Sequence, residues 1–319
     1  MKFLLPQGIG DSVWGLLKIQ DVSRKIGDGA IDVYLNVSRD GSIVEDRAIP
    51  FVSRFDFVRT VGQRICRILE EPEGIDPEGH YIYIPDGPVP NIGIDYALMP
   101  NGPLERGKRL EDWLPEFNTN WEVAKHFSFT KDETSYAEEL FKEFNGNFVT
   151  FYPGPEAGNT RDGHNRDSLW TPEDWVELGN RLIEGLGVEI LVVGAEYDLS
   201  YWMKHLFPQV LRSGTANHWH SYIGLWPIGQ TFAAVRRGRF TISFQSGIGI
   251  FSSYMGIPTG IFWRPKGNSI SPQFYISFEE SMASGWVRPD MLAAGKHLPL
   301  IYGRHDVDYI INQIRERQW

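Results

Sequence analysis

Residues 240–263 read FTISFQSGIGIFSSYMGIPTGIFW. A β-rich run at 240–244 gives way to the small polar turn Gln245-Ser246-Gly247. An apolar segment to Met255 follows, then Gly256-Ile257-Pro258 and a second β-rich run at 259–263. The pattern predicts strand, turn, helix, strand. Ser246 is a good helix N-cap, and glycines in the first turn let a ligand come close to backbone N–H groups. Helix N-termini of this kind bind anions, phosphates above all.

Outward from this stretch the same unit repeats. Residues 148–152 form a strand ending in Pro153-Gly154-Pro155, followed by a polar loop at 156–168. Thr171-Pro172-Glu173-Asp174 then starts a helix with a Thr cap, Pro at the first position and acids in the first turn. It runs to Leu186, stops at Gly187 and gives a strand at 189–193; Gly194-Ala195-Glu196 leads into a further helix to Phe207. Helices are expected at 228–237 and 306–317. The first half opens similarly: a strand at 3–6, the turn Gly8-Ile9-Gly10-Asp11, a helix from Ser12, and a strand at 31–37. Residues 61–69 read as a helix and 80–84 as a strand. Residues 91–117 are rich in Pro, Gly and charge, and segments of that length are often functional. Thr130 with Glu133 caps an amphipathic helix at 130–144.

Two βαβ halves in series describe an α/β protein of two doubly wound, Rossmann-like domains facing a cleft, with a terminal helix. The boundary falls within 118–146, giving domains at 1–130 and 131–319. Ligands of such sheets sit at the carboxyl ends of the strands.

The chain has 319 residues, 42% hydrophobic and 23% charged, enough for two globular domains. A net charge of −10 argues against broad attraction to nucleic acid. One cysteine, Cys66, excludes an intramolecular disulfide and suits a reducing compartment. No signal peptide or membrane span is legible, so the expected location is cytoplasmic.

Several residues could carry chemistry. Asp11 at a helix start is either a cap or a general base. Arg161 and Arg166 in the polar loop could pair with a phosphate, and Glu196, just past Gly194, could accept from a ribose hydroxyl. Gly8-Ile9-Gly10-Asp11 lacks the third glycine of a dinucleotide fingerprint, since Val13 stands there. An NAD(P)-dependent oxidoreductase, with Arg39 near a 2′-phosphate, is therefore the alternative rather than the first reading. His218 and His220 share a face if extended, but no carboxylate lies close in sequence, and no metal site is expected. Asp306 and Asp308 read as helix capping, and Arg236, Arg237 and Arg239 as helix-end charges.

Three separated pieces resemble the ADP-heptose lipopolysaccharide heptosyltransferases of glycosyltransferase family 9, which have the GT-B fold. They are LLPQGIGDSVWGLLKI from Leu4, SLWTPEDW from Ser168 with the LVVG strand behind it, and residues 240–263. Together they touch both domains in order. The resemblance implies inverting, metal-independent transfer of a sugar from a nucleotide-sugar co-substrate, with no cofactor and with Asp11 matching the catalytic aspartate. Ser168 falls on a donor-contacting lysine of the family, Gln245-Ser246-Gly247 on its Asp-Thr-Gly, and Ile250 on a histidine. Gly10, Gly154, Arg161, Arg166, Ser168, Gly194, Glu196, Gln245, Ser246 and Gly247 form the expected donor and diphosphate site, with no metal ligand among them. The acceptor could be a glycan, a lipid, a small molecule or modified DNA, the last opposed by the negative charge. A non-catalytic nucleotide-sugar-binding relative is the remaining alternative, because the donor-side residues have changed.

Overall fold

The computed structural model describes residues 2–5, 9, 13, 16, 31–37, 48–65, 81–83, 126–153, 170–263, 277–283, 287–301 and 304–319. The chain divides into two compact units, Met1–Ser128 and Phe129–Trp319. Residues 91–117 lie outside the described residues.

The first unit holds a parallel sheet of β1 (Lys2–Leu5), β2 (Ile31–Val37), β3 (Val58–Ile65) and β4 (Tyr81–Tyr83), in the order β3-β2-β1-β4. β1 is central, with Leu5 opposite Leu35 of β2 and Leu4 opposite Tyr83 of β4. Ile9, Val13 and Leu16 beyond it are helical, and Val13 and Leu16 are fully buried, as their spacing of three to four residues requires. Ile9 is already helical, upstream of the Ser12 start expected from sequence. β3 corrects the helix expected at 61–69. Val58, Thr60, Val61 and Ile65 are β-branched and fit a pleated surface, and pairing along β2 overrides the local helical period. A short helix, α1 (Ala48–Val52), precedes it. Phe51, Phe55, Phe57 and Phe127 pack with ring centroids 5.1–5.6 Å apart, so residues 126–128 fold back on this cluster.

The second unit begins with α2 (Lys131–Glu143), held by the Thr130/Glu133 capping box. β5 (Phe148–Tyr152) follows, then α3 (Pro172–Leu186), with a Thr171/Asp174 capping box and Gly187 left-handed at φ 62°. β6 (Glu189–Val192) leads into a composite run: a 3-10 turn (Glu196–Asp198), α4 (Leu199–Tyr201), a π turn (Trp202–Leu206) and α5 (Phe207–Arg212). The run passes the expected stop at Phe207. Pro208 has no N–H to give and crowds the preceding carbonyls, which accounts for the wide turn before it. The remaining elements are β7 (Trp219–Ser221), α6 (Ile228–Arg237), β8 (Thr241–Phe244), α7 (Gly247–Tyr254), β9 (Thr259–Trp263), α8 (Phe278–Ala283), α9 (Pro289–Ala293), β10 (His297–Ile301) and α10 (Val307–Glu316).

The six strands are all parallel, in the order β10-β9-β8-β5-β6-β7. Read from β7, this is the doubly wound order 3-2-1-4-5-6 of dinucleotide-binding sheets. The core between sheet and helices is aromatic: Trp175 is fully buried against Phe151, Phe244 and Phe262. Gly179 of α3 lets the Trp219 ring in, because a Cβ there would stand 2.1 Å from the ring. Among the described residues, no helix is long and apolar enough to cross a membrane.

His297, at the start of β10, is 1% exposed between Trp263 and Phe278, and its Nε2 has no hydrogen-bond partner. Burial, with the charge of Arg317 nearby, pushes its pKa down to about 4. The unfolded chain takes up this proton near pH 6.5 while the folded protein does not, so stability is full above that pH and falls toward pH 4. We expect His297 to contribute a loss of about 3 kcal/mol across that window, absent in His297→Leu, as checked by chemical denaturation at pH 7 and pH 4.5.

Candidate active site

In a doubly wound sheet the crossovers leave in opposite directions from the two central strands, opening a crevice at their carboxyl ends. Here those strands are β5 and β8, paired from Thr150↔Thr241 to Tyr152↔Ser243. The turn beyond β8 is Gln245-Ser246-Gly247, all three half-buried. Ser246 is the N-cap of α7; its Oγ accepts from the Gly249 amide at 3.3 Å and lies 2.9 Å from the Ser243 Oγ. A Cβ on Gly249 would meet Ser243 at 3.0 Å and Ile261 at 3.3 Å, so the glycine seats the helix directly on β8 and β9. The amides of Gly247 and Ile248 have no partner within the helix, and none appears among the described residues.

The charge around this helix end is unusual for the unit. α2 carries Asp132 and Glu133 in its first turn, α3 Glu173 and Asp174, and α10 Asp308 behind the cap Asp306. The first turn of α6 has no acid of its own. The buried Glu133 carboxylate packs against it, so close that a Cβ on Gly229 would stand 1.8 Å from Oε1. Only α7, among unit-two helices of eight or more described residues, has neither arrangement. The sequence agrees: no Asp or Glu stands between Asp198 and Glu279, while seven Lys and Arg do. That acid-free stretch was readable from sequence and was passed over. An uncompensated helix N-terminus without nearby acids in its own segment favours an anion.

β6 ends beside this crevice at Gly194-Ala195-Glu196. Glu196 is exposed, and Gly224, at φ 70°, packs on its backbone and donates to the Gly194 carbonyl at 3.0 Å. The carboxylate that sequence reading missed is Asp198, 1% exposed. Its Oδ2 accepts from the Ala195 amide at 2.8 Å, and its Oδ1 accepts from the Tyr152 hydroxyl at 3.4 Å. Asp198 thereby ties the end of β5 to the turn after β6. The signal was an acid three residues beyond Ala195, the capping-box spacing.

Gly194, Glu196, Gln245, Ser246 and Gly247 therefore all lie at carboxyl ends of strands of one sheet. Gly10, Asp11, Arg39, Gly154, Arg161, Arg166 and Ser168 lie outside the described residues. Ile250 is 5% exposed and packed away within α7. The two histidines do meet a carboxylate, contributed by the neighbouring strand: Glu189 Oε1 lies 2.9 Å from His218 Nδ1 and Oε2 lies 2.8 Å from His220 Nε2. Burial opposes ionisation of Glu189, but the bonds from both rings hold its carboxyl below the usual range. This group sits at the amino ends of β6 and β7, away from the crevice. Among the described residues no cluster of three or more His, Cys, Asp and Glu is arranged to hold a metal ion. Asp306 accepts from the Tyr309 amide and Asp308 pairs with Arg181 at 2.6 Å. Arg237 pairs with Glu138, and Arg239 donates to Asn147 and to the Trp319 carbonyl.

No protein-family model and no curated protein matches the chain. Solved structures do. E. coli ADP-heptose lipopolysaccharide heptosyltransferase II aligns at a TM-score of 0.59 and 13% identity, covering 99% of this chain and 98% of that one. A glycosyltransferase family 9 protein from Veillonella parvula aligns at 0.57 and 12%, over 99% and 96%. E. coli heptosyltransferase WaaC with ADP-2-deoxy-2-fluoro heptose aligns at 0.54 and 11%, over 99% of each chain. The chain has the α/β GT-B fold of these structures.

Replacing Asp198 with Ala removes the acceptor of the part-buried Ala195 amide and the bond from the Tyr152 hydroxyl. We expect Asp198→Ala to cost about 1–3 kcal/mol, read as a lower denaturation midpoint, with Asp198→Asn recovering part of the loss.

Proposed function

We propose that the protein is a glycosyltransferase that moves a sugar from a nucleotide-sugar donor to a hydroxyl acceptor, with inversion and without a metal ion. The observation that carries this reading is the α7 N-terminus: unpaired amides of Gly247 and Ile248 at the switch point of a doubly wound sheet, in a segment free of acids. The fold shared with E. coli heptosyltransferase WaaC, solved with ADP and with ADP-2-deoxy-2-fluoro heptose, supports a nucleotide-sugar as the anion.

The second unit takes the donor. Its diphosphate lies on the Ser246-Gly247 helix end, with Arg161 or Arg166 pairing with phosphate oxygens and Gly154, Ser168 and Gln245 completing the lining. Gly194 lets the nucleoside approach the end of β6, where Glu196 accepts from ribose. The first unit takes the acceptor, with Gly10 giving backbone room beside Asp11.

Transfer runs through an oxocarbenium-like state. Asp11 accepts the proton as the acceptor oxygen attacks the anomeric carbon from the face opposite the leaving group. The bond to the diphosphate breaks as the new glycosidic bond forms. Fixed amide dipoles and arginines take the charge developing on the leaving oxygens, which is the part a bound cation plays elsewhere. The reaction takes place in the cytoplasm on a glycan, lipid or small-molecule acceptor.

A thermal-shift screen of ADP, UDP, GDP, their sugars and NADPH tests the ligand class. A nucleotide present at a hundred times its Kd stabilises the fold by about 2.7 kcal/mol. Stabilisation by NADPH alone would overturn the transferase reading in favour of an oxidoreductase. For the base, Asp11→Ala should keep the shift given by the nucleotide and lower the rate of transfer by about 100-fold or more. Full activity in that variant would remove Asp11 from the mechanism, and a wild-type protein that binds donors yet neither transfers nor hydrolyses them would be a non-catalytic relative.

A further inference from the structure

The turn after β6 is held from two sides. Ala195 and Asp198 bond reciprocally: the Asp198 amide donates to the Ala195 carbonyl at 2.9 Å, and Asp198 Oδ2 accepts from the Ala195 amide at 2.8 Å. A Cβ on Gly194 would stand 2.9 Å from that same Oδ2, so the carboxylate lies hard against the turn. From the β7 side, the Tyr222 amide donates to the Val192 carbonyl at 2.9 Å and the Gly224 amide to the Gly194 carbonyl at 3.0 Å. Gly224 is left-handed at φ 70°, and a Cβ there would stand 2.9 Å from the Glu196 Cα. The backbone of Glu196 is thereby fixed. Its side chain is exposed, and its carboxylate has no hydrogen-bond partner among the described residues.

This carboxylate is singular at its edge of the sheet. No acid stands between Asp198 and Glu279, and Asp198 is 1% exposed. Among the described residues that follow β6, β7 and β8, Glu196 alone offers an exposed carboxylate. The order β8-β5-β6 sets it two strand spacings, roughly 10 Å, from the N-terminus of α7. A carboxylate accepts hydrogen bonds and cannot donate them, so it repels phosphate and is matched by hydroxyl donors. Ribose presents two neighbouring hydroxyls, and the two carboxylate oxygens can accept from both when the group is held in one orientation. A free Glu side chain loses rotamer entropy in taking that orientation. A backbone fixed beforehand lowers the cost of binding.

We propose that Asp198 is a positioning residue that, with Gly224, sets the Glu196 carboxylate for a ribose diol and so gives the site a preference for ribonucleotides over 2′-deoxyribonucleotides. The inference rests on the nucleotide-sugar reading of the same site. Asp198 is buried and acts through the turn rather than on the ligand.

The test is fluorescence titration of the full chain with ADP, GDP and UDP and with their 2′-deoxy counterparts, well below the melting temperature. The parent should bind the ribonucleotide about tenfold or more tightly than its deoxy form, the worth of one hydrogen bond to a charged group. Glu196→Ala and Asp198→Ala should abolish that preference while keeping the affinity for the deoxy form, because the α7 end still meets the phosphates. Asp198→Asn retains an oxygen that can accept from the Ala195 amide and should keep the preference. Gly224→Ala pushes on Glu196 from the opposite side and should lose it. A purely structural Asp198 would lower the melting temperature and leave the preference intact. That result in Asp198→Ala, or in Gly224→Ala where Asp198→Ala does not fold, overturns the proposal. So does a parent that binds nucleotides without distinguishing ribose from deoxyribose, in which case the nucleotide-sugar reading stands and this inference alone falls. Binding of no nucleotide by the parent overturns both.

Discussion

The closeness of α7 to β8 and β9 is the constraint on which the candidate site depends. A helix that follows a strand can aim its N-terminus at the carboxyl edge only when its first turn lies against the sheet. At Gly249 the space for a side chain is already taken by Ser243 and Ile261. The hydroxyls of Ser243 and Ser246 meet behind that contact, so the cap is fixed from below rather than from the solvent side. Two orphan amides are left facing outward beside the strand pair at which the crossovers diverge. Displacing the helix by the thickness of a methyl group would tilt those amides away and break the cap together.

The distribution of carboxylates follows the same logic. Most long helices of the second unit meet an acid at their positive end, from their own first turn or, for α6, from Glu133 of α2. At the other end of the sheet Glu189 is shared by two histidines. Carboxylates that would repel a diphosphate are thus placed at other helix ends or absent from 199–278. Neutralising the α7 dipole with a cap such as Asp would stabilise the helix by a few tenths to about 1 kcal/mol. The serine found there instead leaves that interaction available to a ligand.

Local signals made much of this legible in sequence. α2 and α3 follow from their capping boxes, Pro172 and Gly187, and α7 from Ser246 between two β-rich runs, because those features act within a few residues. β3 was misread because its apolar positions fit a helical period and only its pairing with β2 settles the matter. β7 and β10 went unseen for related reasons: three residues carry too short a pattern, and HLPLI contains a proline that edge strands tolerate. Glu189 was invisible as a partner since its role depends on a neighbouring strand, and Asp198 offered only its local capping spacing, since its bond with Tyr152 is tertiary. Tertiary contacts, rather than propensity, decided each of these.

The burial of α7 also limits where donor specificity can be written. From Ile248 to Tyr254 every residue is buried, so the helix is enclosed on all sides and has no solvent face to vary. Ile250 shows the consequence: at a position where a polar side chain could have reached toward a ligand, this chain has an interior contact. Residues 245–247 can bind an anion through the backbone, which recognises charge and not the identity of base or sugar. Under the proposed function, discrimination falls to side chains at the carboxyl end of β6, where Glu196 is exposed and Asp198 holds the turn in shape.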